Sequence, residues 1–143
     1  MTIMPAHQHT ILYAEDDLDD LFIVQEAFVN YDPQILLVHA ENGFTALEKL
    51  SKLYETGISP CLIILDINMP GMNGREALVR IKQSEIFKNI PVFLFTTSSS
   101  DGDKAFAKKW GADFITKPLL FNELEELAKT FVKHCYSEMS NRA

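Results

Sequence analysis

Cysteine, glycine, proline, net positive charge and long apolar runs are all scarce in this chain of 143 residues, and each scarcity excludes something. The two cysteines, Cys61 and Cys135, are too few and too separated for a disulfide framework or a zinc site, and are expected as buried free thiols. Glycine and proline number six each, which with 23 % charged residues argues against a disordered chain. No apolar stretch approaches the roughly 18 residues of a membrane span, and the N-terminal MTIMPAHQHT lacks the cationic flank and apolar core of a signal peptide. A cytoplasmic protein with no membrane insertion is expected. The net charge is −7 and no run of Lys and Arg forms a basic patch, so direct nucleic-acid binding is not expected.

What the chain does have is an uneven distribution of acid. Residues 1–72 carry eleven acids against two lysines, while residues 73–143 carry nine acids against eleven Lys or Arg. Five of the first set sit in Glu15-Asp16-Asp17-Leu18-Asp19-Asp20. Short β-branched and aromatic runs at Thr10–Ala14, Ile35–His39, Leu62–Leu65, Val92–Thr96 and Asp113–Thr116 read as strands. Between them lie stretches with helical spacing, such as Phe44, Leu47, Leu50 and Tyr54, or Leu124, Leu127, Phe131 and Cys135. Asn122 and Glu125 resemble a capping box for the last helix, and Gly111 stands where a helix over Asp103–Trp110 ends. Five strands alternating with five helices predict an α/β fold, a (βα)₅ doubly wound parallel sheet with helices on both faces. A single domain over 10–135 is expected, with tails at 1–9 and 136–143.

Sites in such sheets form at the carboxyl ends of the strands. Read there, the chain offers Glu15, Asp16 and Asp17 after strand one and Asp66 after strand three. Strand four adds Thr96 and Thr97, and strand five adds Lys117. Clustered carboxylates repel unless a cation neutralises them, and hard oxygen ligands suit Mg²⁺. A carboxylate nucleophile, a divalent cation, a hydroxyl and an ammonium are the parts that phosphoryl transfer to an aspartate requires. Asp66 is the candidate nucleophile, since it follows the apolar Leu62-Ile63-Ile64-Leu65 and precedes the turn Met69-Pro70-Gly71. Asp19 and Asp20 fall in the first turn of a helix, where acids complement its dipole. His7 and His9 are read as part of a solvated tail, and His39 and His134 as histidines without partners in the sequence.

Four segments together resemble one family: Ile11-Leu12-Tyr13-Ala14-Glu15-Asp16-Asp17, Leu65-Asp66-Ile67-Asn68-Met69-Pro70-Gly71-Met72-Asn73-Gly74, Pro91-Val92-Phe93-Leu94-Phe95-Thr96-Thr97, and Gly111-Ala112-Asp113-Phe114-Ile115-Thr116-Lys117-Pro118. In this order they resemble a response-regulator receiver domain of two-component signalling, similar to the stand-alone chemotaxis type with its flavodoxin-like fold. The resemblance implies strand order 2-1-3-4-5 and Asp66 as the residue that takes a phosphoryl group from a histidine kinase or a histidine phosphotransfer protein. It implies Mg²⁺ held by Glu15, Asp16, Asp66 and the backbone carbonyl of Asn68, with Thr96 as switch hydroxyl and Lys117 as the ammonium. It further implies a cis Lys117–Pro118 bond, and tuning of dephosphorylation at Asn68 and Ser98. Phe114 stands where the family commonly has a rotating Tyr, and Trp110 nearby is a candidate partner contact. The family's chemistry is phosphoacceptance rather than steady turnover, and a monomer or weak homodimer is expected here.

Two rivals bear on the same residues. A haloacid-dehalogenase-like phosphatase wants a second Asp two residues past the nucleophile, where this chain has Asn68, and a cap domain larger than 143 residues leave room for. A module that keeps the fold and binds a partner without phosphate has no need of Glu15, Asp16, Asp66, Thr96 and Lys117 together.

Overall fold

The computed structural model describes residues 9–97, 100–118 and 120–142, with side chains of the last helix described as far as Tyr136. Strands and helices alternate as β1 (His9–Ala14), α1 (Leu18–Tyr31), β2 (Ile35–Ala40), α2 (Gly43–Glu55), β3 (Leu62–Asp66), α3 (Gly74–Gln83), β4 (Val92–Thr96), α4 (Asp101–Lys109), β5 (Asp113–Thr116) and α5 (Phe121–Arg142). The sheet is wholly parallel with order β2-β1-β3-β4-β5. The (βα)₅ expectation and its strand order therefore hold.

Why the strands are apolar at nearly every position follows from their two covered faces. Leu12, Ile63, Leu65 and Leu94 point to one side, where Leu50 of α2, Leu78 and Ile81 of α3, and Ala107 of α4 complete a core. Ile11, Tyr13, Leu62, Ile64, Phe93 and Phe95 point to the other, against Val24 and Phe28 of α1 and Leu124 and Phe131 of α5. Phe131 is the hub of that second core, stacked on Phe28 and edge-on to both Phe93 and Phe95. The helices start at side-chain caps: Asp17 for α1, Asn42 with Thr45 in a reciprocal box for α2, Asn73 for α3 and Ser100 for α4. Gly111, at φ +71°, takes the left-handed position just past α4.

Four expectations need correction. Cys61 and Cys135 are joined in a disulfide, with Cα atoms 5.1 Å apart. Seventy-four residues separate them in sequence, but the start of β3 and the middle of α5 are neighbours in the second core, so separation along the chain set no bound on distance. The Lys117–Pro118 bond is trans, the isomer that X-Pro bonds favour by about 0.5–1 kcal/mol. Asn122 does not cap α5: the helix begins at Phe121, and the Leu120 carbonyl already accepts from the Leu124 amide. His9 is not in a solvated tail but opens β1, paired with Ile35, its ring edge-on to Tyr136 at 4.1 Å. His7 and Ser98 lie outside the described residues.

Candidate phosphoacceptor site

The register brings the expected residues to one rim. Ala14 pairs with Leu65, Asp66 with Phe95, and Thr96 with Thr116, so the ends of β1, β3, β4 and β5 stand side by side. Glu15 follows β1 directly and is wholly buried, as is Thr96, while Asp66 at the end of β3 is 5 % exposed. Asp16 is exposed. Carboxylate oxygens of Glu15, Asp16 and Asp66 lie within 4.8 Å of one another. Lys117 Nζ reaches into this group, 2.5 Å from Glu15 Oε1, 3.1 Å from Asp20 Oδ2 and 3.3 Å from Asp66 Oδ2. One ammonium thus faces four carboxylates when Asp16 is counted. That surplus of negative charge, presented as hard oxygens, fits a small divalent cation.

Each partner leaves its mark on the titration of the others. Burial pushes the Glu15 carboxyl up, and its hydrogen-bonded closeness to Asp66 adds to this, while Lys117 and Tyr13 pull the other way. Burial alone would lower Lys117, but its hydrogen bond to Glu15 and the charges of Glu15 and Asp66 outweigh that and raise it. Tyr13 is raised far above the ordinary phenol by burial and then by Glu15, so it stays an O–H donor.

The loop after Asp66 is built for access. The Asn68 amide donates to Asp66 Oδ1 at 3.2 Å, and Gly71 at φ +71° turns the chain away. Gly74 starts α3 against the carbonyl of Asp66; a Cβ there would lie 2.2 Å from that backbone oxygen. Gly74→Ala is therefore expected to cost about 1–3 kcal/mol, the range for forced overpacking, read as a lower urea midpoint at unchanged slope. A midpoint equal to wild type would show that the loop yields freely.

Three residues of this site escaped the sequence reading. Asp20, expected to complement the helix dipole, also holds Lys117. Tyr13 donates its hydroxyl hydrogen to Glu15 Oε1 at 2.7 Å. His39, for which the sequence shows no partner, has Nε2 2.7 Å from the Glu15 carbonyl, and its own carbonyl accepts from Lys49. Strand alternation was the available signal for Tyr13, since residues 13 and 15 share a face. The other two depend on tertiary contacts.

Phe114 and Trp110 are both half-buried and pack against the first core, Trp110 also lying near Phe106. Neither touches the carboxylate cluster through any described hydrogen bond or ion pair. Arg75 of α3 bridges to Asp103 of α4 at 3.1 Å and lies over the Phe106 ring. This places a polar strap across the groove beside Asn68 and Pro70.

The model of the response regulator receiver domain matches residues 11–129. The chain belongs to that family. Response regulator Rcp1 of Synechocystis sp. is 38 % identical over 95 residues, a stretch that is 65 % of this receiver's chain and 65 % of Rcp1. Protein PilH of Pseudomonas aeruginosa is 32 % identical over 123 residues, 84 % of this chain and 92 % of PilH. Among solved structures, the phosphorylated cyanobacterial phytochrome response regulator RcpA superposes with a TM-score of 0.81 at 30 % identity, covering 90 % of this chain and 94 % of RcpA. The Mn²⁺-bound form of Rcp1 gives 0.75 at 31 % identity, covering 85 % and 90 %. The receiver is thus a two-component response-regulator domain with an acidic cluster suited to a divalent cation. Among the described residues no helix is long and apolar enough to cross a membrane.

Proposed function

We propose that this receiver works as a phosphorylation-controlled response regulator, taking a phosphoryl group onto Asp66 from a phosphohistidine of a histidine kinase or histidine phosphotransfer protein. The observation that carries the reading is the state of Asp66. It is a nearly buried carboxylate with Lys117 Nζ 3.3 Å away and two further carboxylates close enough to share one cation with it. An Asp66 oxygen attacks phosphorus, the P–N bond to the imidazole breaks, and the electron pair leaves on nitrogen, which takes up a proton. Glu15, Asp16, Asp66 and the Asn68 carbonyl would hold Mg²⁺, which would neutralise charge on the phosphoryl oxygens. Lys117 pairs with a phosphoryl oxygen, and Thr96, buried at the end of β4, is the hydroxyl that turns toward the new group.

Asn68, two residues past the acceptor, and Ser98, two residues past Thr96 in the sequence, tune how long the acyl phosphate lasts. The signal then passes from Thr96 to the face of α4, β5 and α5, with Phe114 as the moving ring and Trp110 as a contact for a downstream protein. Next to the rim, Ile23, Val24, Leu120 and Phe121 line an open cavity of about 440 Å³ that Lys117 also reaches. Leu18 and Phe22 of α1 are exposed as well, which gives a donor protein an apolar shelf beside the acceptor. On this reading the protein acts in the cytoplasm, as a monomer or weak homodimer.

Mass spectrometry after incubation with acetyl phosphate and Mg²⁺ tests the proposal. Wild type is expected to gain one phosphoryl group and Asp66→Asn none. Equal labelling of both proteins would sink it.

A further inference from the structure

Glu15 has no freedom in its main chain. Its amide donates to the Ala40 carbonyl at 2.9 Å, and its own carbonyl lies 2.7 Å from His39 Nε2. Its carboxylate is held separately. Oε1 accepts from both Tyr13 and Lys117, at 2.7 and 2.5 Å, whereas Oε2 accepts from the Asp17 amide at 3.3 Å. Two donors on one oxygen fix the plane of the carboxylate and leave the other oxygen with capacity to spare. Tyr13 supplies one of those donors from below: it is wholly buried, two residues back on the same face of β1, with its ring beside Phe95. A phenol so buried needs an acceptor, and Glu15 is the one it has.

We propose that Tyr13 is a positioning residue for the cation site, its hydroxyl locking the Glu15 carboxylate so that Oε2 is presented to a divalent ion or to that ion's hydration water. The inference rests on the reading of Glu15, Asp16 and Asp66 as a cation site. Lys117 alone cannot do this work. Its ammonium is divided among three carboxylates and swings on a flexible stem, while the phenol is a rigid donor with a single partner. Because the Glu15 backbone is pinned independently, removing the hydroxyl frees the carboxylate and leaves the strand in place.

The test titrates Mn²⁺ into the full chain and follows free Mn²⁺ by electron paramagnetic resonance. Tyr13→Phe is expected to bind Mn²⁺ roughly tenfold more weakly, the loss typical of an outer-shell orienting partner. Its thermal unfolding without metal should stay cooperative. In a Glu15→Ala background the same change should have no further effect on Mn²⁺ affinity, because Tyr13 acts only through Glu15. An unchanged affinity in Tyr13→Phe, or an equal loss in the Glu15→Ala background, overturns the proposal while leaving the cation site standing. Wild-type binding that ignores Glu15→Ala and Asp16→Ala overturns both. Tyr13→Leu, which fills part of the same space without a donor, serves if the Phe variant fails to fold.

Discussion

Lys117→Met is expected to cost about 3–5 kcal/mol of stability without divalent cations, the range for removing one partner of a buried charge group. The side chain of Lys117 is 9 % exposed and, among the described residues, carries the one ammonium paired with Glu15, Asp20 and Asp66. Methionine keeps the volume and removes the charge, leaving Glu15 wholly buried and uncompensated. The loss should depend on pH with a definite sign. The Glu15 carboxyl is already raised in the folded state, and losing Lys117, which pulls it down, raises it further. The folded variant then holds a proton that the unfolded chain, near its ordinary value of about 4.3, has released. In that window the native state binds more protons, so stability falls as pH rises from about 4.3 through the raised folded value.

Urea denaturation at pH 5.5 and 8 should therefore find the variant weaker at pH 8. Saturating Mg²⁺ should recover part of the loss, since the cation supplies charge where the ammonium stood. Phosphoryl uptake from acetyl phosphate should fall by roughly 10²–10³-fold, as for loss of one preorganised donor to a developing charge. Equal stability at both pH values and wild-type uptake would mean that Lys117 is a bystander.

The second large effect is expected at the disulfide. Closing a loop across 74 residues constrains the unfolded chain, and such bonds contribute about 2–4 kcal/mol. For a chain of this size that corresponds to roughly 6–13 °C in the unfolding midpoint. Calorimetry of the oxidised protein and of protein reduced under denaturing conditions, then refolded with reductant, reads the difference directly. The Cys61→Ala, Cys135→Ala double variant should melt near the reduced protein and ignore reductant. Both sulfurs are essentially inaccessible, so reduction of the native protein should be slow and follow opening of α5 rather than reductant concentration. Coincident midpoints for the oxidised and reduced protein would refute the contribution.

These two sites differ in how far the sequence revealed them. The alternation of apolar runs and helical stripes carried the fold, because a strand covered on both faces has no room for polar residues, and Leu62-Ile63-Ile64-Leu65 displays that plainly. Glu15, Asp16, Asp66, Thr96 and Lys117 were readable because the fold collects strand ends in one place, so a polar residue there has a location as soon as the strand is found. The helper residues lacked such an anchor. Asp20 reaches Lys117 across 97 residues and His39 reaches Glu15 across 24, distances over which no local pattern operates. The same holds for Cys61 and Cys135. His9 and Asn122 failed for a nearer reason, since strand and helix ends are fixed by one or two backbone pairings rather than by periodicity.

The Cys61–Cys135 bond also divides the chain topologically. It closes a ring that contains β3, β4, β5 and with them Asp66, Thr96 and Lys117. Glu15 and Asp16 ride on an open N-terminal arm with β1 and β2. Because β1 sits between β2 and β3, the arm must dock its inner strand along the ring before the acidic cluster exists at all. An ion shared by Asp16 and Asp66 would then act as a rivet between arm and ring. Its binding would oppose peeling of the arm, and a protease that nicked the ring would leave two pieces still joined through sulfur.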